Sequence, residues 1–193
     1  MGRLGGAIRS RCSRPVSAAA VLGLAVALLG VAAPAQAGSA HNVRVTDQVR
    51  EPGTSHVDVA RAVLKNGRTA IEVRLRFRTL KLASLREVVV GIDVNASSPG
   101  YLVRVRRSGN QVRGTLSTAV LFSDGSTERR ITCRGLRIAL KGSRTVRVVV
   151  PRSCMRVGGN RARFHWFVTD RHGHYDESPW NGTGFSAWTR RAR

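Results

Sequence analysis

The amino-acid sequence predicts an all-β protein, an antiparallel β-sandwich of the immunoglobulin-like or jelly-roll-like kind. Short segments in which apolar and polar residues alternate follow one another along most of the chain. Turn-forming residues separate these segments, and no segment shows a helical period over several turns. Short, regularly spaced strands joined by hairpin turns are typical of β-sandwiches, with a small β-barrel as the alternative.

The amino-terminal segment has the features of a secretory signal. Four arginines precede an uncharged run at 15–34, and Ala35-Gln36-Ala37 matches the small-x-small pattern that signal peptidases accept. We therefore predict that residues 1–37 are cleaved, with a retained membrane anchor as the alternative. The remaining 156 residues, 38–193, are predicted to form a single β-sandwich domain without a membrane-spanning segment. The protein is expected to be secreted, either extracellular or associated with the cell wall.

The predicted strands follow from alternation and turn signals. The clearest strand covers 70–80, where apolar residues from Ile71 to Phe77 alternate with mostly charged ones. Asn66-Gly67 favours a type I′ hairpin turn that joins this strand to 56–64, although 57–65 also fits a helix. The other predicted strands are 43–49, 86–94, 101–107, 112–122, 128–133, 136–140, 145–150 and 161–169.

Two cysteines remain once Cys12 leaves with the signal, and we predict that Cys133 and Cys154 form a disulfide. An even pair in an exported chain is expected to be oxidised. A tight turn on Gly142-Ser143 would make the two residues diagonal neighbours on one face of the sheet. A four-residue loop, 142–145, would place them directly opposite each other, near the separation that a disulfide needs.

The charge predicts an anionic partner outside the cell. Residues 38–193 contain 29 basic and 11 acidic residues, and such an excess favours polyanions such as anionic cell-wall polymers or polysaccharide. The candidate binding residues are arginines on two predicted strands that would form one face if the strands share a sheet. They are Arg74, Arg76 and Arg78, with Arg104 and Arg106. No Lys/Arg run exceeds two residues and aromatic residues are scarce, so specific nucleic-acid recognition is not expected.

Composition offers an alternative explanation for this charge. The chain has 30 arginines and three lysines, a ratio that a GC-rich genome would produce without any selection for binding.

Catalytic motifs are absent from the sequence. It contains no nucleophile elbow, zinc-protease motif, phosphate-binding glycine loop or dinucleotide fingerprint. We therefore predict a non-enzymatic protein that needs no cofactor. The alternative is a metal-dependent extracellular enzyme or redox protein, for which His172, His174 and Asp176 are weak candidate ligands because His-x-His points two rings to one side of an extended segment.

Aromatic residues cluster near the carboxyl terminus. Tyr175 and Trp180 lie in a polar loop, where amphipathic rings can stack on sugars or contact a protein partner. The alternative is structural, with Trp166 in the core and Trp180 and Trp188 holding the final segment across a sheet.

Several stretches together resemble a group of small, secreted, β-rich proteins common in actinobacteria. They are the export signal, AIEVRLRFRTL at 70–80, VVVGIDVN at 88–95, VRVVVPRSC at 146–154 and DESPWNGTGFSAWTRR at 176–191. The resemblance implies an exported β-rich domain over nearly all of residues 38–193. The group brings no assigned activity, so the resemblance implies no functional residue.

Overall fold

A computed structural model describes residues 41–47, 56–94, 100–119, 128–155, 159–178 and 184–193. These residues form twelve strands and one short 3-10 helix, Arg152–Cys154. The strands are β1 Asn42–Thr46, β2 Val59–Asn66, β3 Ala70–Phe77, β4 Leu85–Asp93, β5 Gly100–Ser108, β6 Gln111–Ala119, β7 Arg129–Ile131, β8 Arg137–Lys141, β9 Thr145–Pro151, β10 Arg161–Asp170, β11 Tyr175–Ser178 and β12 Thr189–Arg190. Across these ranges, no helix has the length and apolar character needed to span a membrane.

The strands form two antiparallel sheets that pack as a β-sandwich. The first sheet has the order β1-β2-β3-β9-β8, and the second has the order β11-β10-β4-β5-β6-β7, with β12 paired to β10. The predicted sandwich is confirmed, and the described strands do not close into the alternative barrel. The segment 57–65, which also fitted a helix, is mostly strand β2 because its apolar residues are needed on the inner face.

The core follows directly from the period-two pattern. Alternate residues of β3, from Ile71 to Phe77, face inward and are at most 1% exposed. The inner face of β10 supplies Phe164, Trp166 and Val168, so the predicted core position of Trp166 is confirmed. Burying each large apolar side chain contributes about 1.5 to 3 kcal/mol, which makes these two inner faces the main source of stability.

The two sheets approach each other closely near one edge, at Gly114 and Ile138. A Cβ atom at Gly114 of β6 would lie 2.8 Å from Cγ1 of Ile138, which projects inward from β8 in the other sheet. A side chain at this position would displace Ile138, so glycine here lets Ile138 cover the edge of the core.

The link between β2 and β3 differs from the predicted type I′ turn. Asn66 pairs with Ile71, so four residues separate the last paired positions, and Gly67 does not have the positive φ that a type I′ turn requires. The predicted type I′ turn was wrong because Asn66 is buried and hydrogen-bonded to distant segments of the chain.

Asn66 is fully buried and all of its polar groups are bonded. Its N–H donates to the His41 carbonyl over 2.8 Å, and its carbonyl accepts from the Ala192 N–H over 2.9 Å. The side-chain Nδ2 donates to the Thr189 carbonyl over 2.9 Å, while Oδ1 accepts from Arg152. One buried amide therefore joins the carboxyl-terminal segment to the first sheet.

The Cys133–Cys154 disulfide is present, with a Cα–Cα distance of 5.3 Å. Both predicted hairpin registers were wrong, however. Lys141 pairs with Thr145, so the loop contains three residues and the register lies between the two alternatives. Extended along the ladder, that register would place the two cysteines on opposite faces.

Both strands end before they reach the cysteines. Gly135, with φ of +88°, turns the chain before β8, and the 3-10 helix Arg152–Cys154 follows β9. These two bends bring the sulfur atoms together, because a residue outside a ladder is not restricted to one face.

Strands β11 and β12 were not predicted. β11 pairs with β10 through a tight turn, and β12 has only two residues, too few to show any alternation.

Replacing both cysteines, Cys133→Ser with Cys154→Ser, is expected to lower the free energy of unfolding by about 3 kcal/mol, since the bond restricts a long loop in the unfolded chain. The two residues are 21 apart in sequence. Urea unfolding of the variant and of the oxidised and reduced wild-type protein measures the change. Equal midpoints for the oxidised and reduced proteins would contradict the expected role of the bond.

Candidate functional site

The predicted arginines do not share one sheet. Arg74 and Arg76 lie on β3 in the first sheet, whereas Arg104 and Arg106 lie on β5 in the second. Arg78 follows the end of β3. The single five-arginine face is therefore corrected to two separate surfaces, because strands that look alike in sequence belong to different sheets.

The arginines of the second sheet are paired with carboxylates. Arg104 Nη2 lies 2.7 Å from Glu128 Oε2, and its Nη1 lies 3.2 Å from Glu87 Oε2. Arg106 Nε lies 2.8 Å from Glu87 Oε1. Hydrogen bonding to Arg104 outweighs burial and holds the pKa of Glu128 below its usual value, while the pKa of Arg104 is raised. Arg104 and Arg106 are therefore balanced by Glu87 and Glu128, so these two arginines are not free to bind a polyanion.

Arg78 has a structural role. Its Nη1 lies 2.6 Å from Oδ1 of Asp58, which is 1% exposed, and its Nη2 donates to the Asp47 carbonyl. A guanidinium that satisfies a buried carboxylate ties the end of β3 to the start of β2.

The outer face of the first sheet carries a dense group of cations, most of which have no ion-pair partner among the described residues. We define the basic face as the eight cationic side chains that alternation places on the outside of this sheet. They are Arg44, Arg61, Lys65, Arg74, Arg76, Arg137, Lys141 and Arg147. Among the described residues of the same face, Glu72 is the only carboxylate. A cluster with so few counter-charges produces a strong positive potential.

Glu72 forms ion pairs with two members of the basic face. Its Oε2 lies 2.7 Å from Arg147 Nη2, and its Oε1 pairs with Arg74 Nε. The hydrogen bond from Arg147 has the largest effect, and together with Arg74 it holds the pKa of Glu72 below its usual value. Glu72 therefore stays ionised, which reduces the repulsion between Arg74 and Arg147, direct neighbours across β3 and β9.

One row of the basic face has no carboxylate. Arg61 lies directly opposite Arg76, Arg76 opposite Thr145, and Thr145 opposite Lys141. None of these three cations has an ion-pair partner among the described residues. Like charges placed directly opposite on neighbouring strands destabilise a sheet by a few tenths of a kcal/mol to about 1 kcal/mol. The row is therefore a place where a bound anion would remove an existing repulsion.

A depression of ≈ 380 Å³ lies at one end of this row. Four arginines line it, Arg61, Arg76, Arg78 and Arg144, together with Thr46, Asp47, Ala60 and Phe77. Arg61 lies on β2, Arg76 and Arg78 lie on and just after β3, and Arg144 lies in the β8–β9 turn. No local sequence pattern groups Arg61 or Arg144 with the other two.

Most of the aspartates are unavailable to neutralise the surface. Five of them are less than 9% exposed, Asp47, Asp58, Asp93, Asp170 and Asp176. Asp93, for example, lies 2.8 Å from Arg163 Nη2, and Asp176 Oδ2 accepts the Val59 N–H over 2.5 Å. Because the fold uses these carboxylates internally, the outer surface is more positive than a uniform distribution of charge would make it.

The candidate metal ligands do not converge. Asp176 points into the sandwich toward Val59, whereas His172 and His174 lie in the exposed β10–β11 turn with their ring centroids 6.2 Å apart. No group of three ligand-type side chains suitable for a metal occurs within the described ranges.

His174 instead pairs with Asp170. Its Nδ1 lies 2.9 Å from Asp170 Oδ2, and Asp170 Oδ1 accepts the N–H groups of His172 and His174. Burial opposes ionisation of Asp170, but these three bonds outweigh it and hold its pKa below the usual value. The Asp170 carboxylate therefore holds the β10–β11 turn in place.

The predicted aromatic candidates are only partly described. Tyr175 is 53% exposed and packs against Phe167 at 5.7 Å between ring centroids, so its ring is accessible on the second sheet. Trp180 lies outside the described residues. Trp188 stacks near Arg163, with 4.5 Å from the guanidinium carbon to the ring centroid, and holds the final segment against the second sheet.

The final segment also covers His165. Its ring meets Phe185 edge-on at 5.1 Å, and a Cβ atom at Gly91 on the neighbouring strand would lie 1.9 Å from its Nε2. Burial lowers the pKa of His165 to about 4, because the charged ring would lose its hydration there.

Comparison of the chain with protein-family models, with curated proteins and with solved structures gave no match. The resemblance to secreted actinobacterial proteins therefore stays a prediction, and the geometry of the chain alone carries the functional argument.

The stability of the protein is expected to fall by about 2 kcal/mol between pH 7 and pH 5 through His165 alone. The unfolded chain binds a proton near pH 6.5, whereas the folded protein does so only near its pKa of about 4. Stability from this group is complete above pH 6.5 and is lost as the pH falls. Urea unfolding at several pH values should show a smaller decrease for His165→Gln than for wild type. Equal decreases would contradict the assignment, because the two proteins differ only at His165.

Proposed function

We propose that this chain is a secreted, non-enzymatic protein that binds a linear polyanion of the cell envelope, an anionic wall polymer or polysaccharide, through the basic face. The observation that carries the proposal is the set of eight outward cations of the first sheet, with Glu72 as their only carboxylate among the described residues. Repulsion within this set opposes folding, and a bound polyanion would relieve it.

The spacing of the basic face suits a repeating anion. Neighbouring strands lie about 4.8 Å apart, so the row from Arg61 through Arg76 to Lys141 extends about 14 Å across four strands. Guanidinium groups bind phosphate and carboxylate oxygens through paired hydrogen bonds, and they can do so on successive repeats of an extended chain. Because the cations of the row lie on three neighbouring or near-neighbouring strands, they can contact several repeats at once, which favours a polymer over a single small anion.

The proposed location has independent support. The Cys133–Cys154 bond is typical of a protein that matures in an oxidising compartment. The leader predicted at 1–37 would take the chain across the membrane to the compartment in which wall polymers and polysaccharides are found.

The triple variant Arg61→Gln, Arg76→Gln, Lys141→Gln is expected to bind an anionic wall polymer at least about tenfold more weakly than wild type. Each cation that contacts the polymer releases counterions, so the slope of log affinity against log salt should also become shallower by about 2. Binding to a purified phosphodiester wall polymer and to an acidic polysaccharide, measured across a range of salt concentrations, checks both effects. A neutral dextran serves as the uncharged polymer.

A matched control removes the same charge from the second sheet. Arg113, Arg129 and Arg130 are exposed there, and their replacement by glutamine changes the net charge by the same three units. This control should keep most of the wild-type affinity. If both triple variants lose affinity equally, binding depends on net charge alone and the basic face is not the site. Weak retention of the wild-type protein that is insensitive to salt would also refute the proposal.

A further inference from the structure

A second cationic surface lies at the carboxyl-terminal end of the chain, apart from the basic face. It is an open depression of ≈ 740 Å³ lined by Arg68, Arg161, Arg190, Arg191 and Arg193. We call it the arginine pocket. Among the described residues none of the lining side chains is a carboxylate, and no ion pair neutralises any of the five arginines.

The backbone around the arginine pocket is held in place by several hydrogen bonds. The Arg191 N–H donates to the Asn160 carbonyl over 2.6 Å, and the Ala192 N–H donates to the carbonyl of buried Asn66 over 2.9 Å. The pairing of β12 with β10 places Arg190 directly opposite Arg161. These contacts bring cations from three separate parts of the chain to one position, rather than leaving them spread along a free terminus.

Two of the side chains are also oriented. Arg191 Nη2 donates to the Arg68 carbonyl over 2.7 Å, and the Arg161 guanidinium carbon lies 5.3 Å from the centroid of the Trp188 ring. Each guanidinium keeps further N–H donors for a ligand after making its one contact. Half-buried Arg152 adds to the positive charge nearby, and its pKa is lowered by burial and then by Arg191.

The charge and size of the arginine pocket indicate the class of ligand. The guanidinium fork matches the oxygens of a phosphate group, and several forks can surround one group or two adjacent groups. A single phosphate ester carries about two negative charges at neutral pH, so five arginines exceed what one such group would balance. The volume is within the range typical of small-molecule sites.

We propose that the arginine pocket binds a compact anion with two or more adjacent phosphate groups, of the pyrophosphate or bisphosphate type. This site goes beyond the proposed polymer binding, because it lies on different residues and takes a ligand of a different size. A free metabolite and a phosphorylated lipid headgroup share this chemistry.

The test is calorimetric titration of the purified protein with inorganic pyrophosphate, with acetate as a monovalent control. The double variant Arg161→Gln, Arg190→Gln is expected to lose about 100-fold in pyrophosphate affinity, because each arginine supplies charge-assisted hydrogen bonds. Arg68→Gln is a second variant, since it keeps the backbone carbonyl that Arg191 uses, and it should lose about tenfold. Thermal unfolding establishes that both variants are folded.

The control is Arg61→Gln with Arg76→Gln, which removes another directly opposed arginine pair, from the basic face. It should keep wild-type affinity for pyrophosphate and lose affinity for the wall polymer, while the pocket variant should do the reverse. The two variants therefore test polymer binding by the basic face and pyrophosphate binding by the arginine pocket independently of each other. No binding of pyrophosphate, binding no stronger than that of acetate, or equal losses in the two double variants would overturn the arginine pocket as a specific site.

Vesicles distinguish the two sources of the ligand. Phosphatidylcholine vesicles with and without phosphatidylinositol bisphosphate are tested for sedimentation with the wild-type protein and the pocket variant. Binding that needs the bisphosphate lipid and is lost in the pocket variant assigns a headgroup ligand. Pyrophosphate binding without vesicle binding supports the same site and assigns a soluble ligand.

Discussion

The alternation of inward and outward side chains on β3 and β9 determines both which residues form the core and which cations lie together on the basic face. The core requires Val73, Leu75, Val146 and Val148 on the inner face. The register between the two strands then places Arg74 directly opposite Arg147 on the outer face. A shift by one residue would expose the apolar row, so the sheet cannot relieve the arginine repulsion by changing its register. Burial of the core thus holds cations together that would separate in an unfolded chain.

The distribution of carboxylates increases this effect. The fold uses Asp58, Asp93, Asp170 and Asp176 to satisfy arginines, backbone N–H groups or a histidine inside or at the edge of the sandwich. On the second sheet Glu87 and Glu128 pair with Arg104 and Arg106, whereas Glu72 is the only carboxylate among the described residues of the basic face. Six of the eight cations of the basic face and all five arginines of the arginine pocket have no ion-pair partner among the described residues. The molecule therefore has two cationic surfaces of different shape, the broad basic face and the concave arginine pocket.

Buried polar contacts connect the distant ends of the chain. Asn66 bonds to the segments on both sides of the core, and Asp176 crosses from one sheet to the other. Neither residue has a sequence context that marks it as buried. Asn66 precedes a glycine and predicted a turn, but the carboxyl-terminal segment supplies enough partners to bury its amide. Such partners lie more than 100 residues away in sequence, beyond the reach of any local pattern.

The sequence by itself determined the β-sandwich class, ten of the twelve strands to within a few residues and the pairing of the cysteines, because period-two alternation and an even cysteine count are local signals. Only the tertiary structure decided which strands share a sheet. The sheet order places Arg74 and Arg76 on a different sheet from Arg104 and Arg106. It also places Arg61 and Lys141 on the same sheet as Arg74 and Arg76, where they join the candidate site. The tertiary structure also assembled the arginine pocket from three parts of the chain. Sheet order depends on long-range packing of whole faces, and alternation within one strand carries no information about its neighbours.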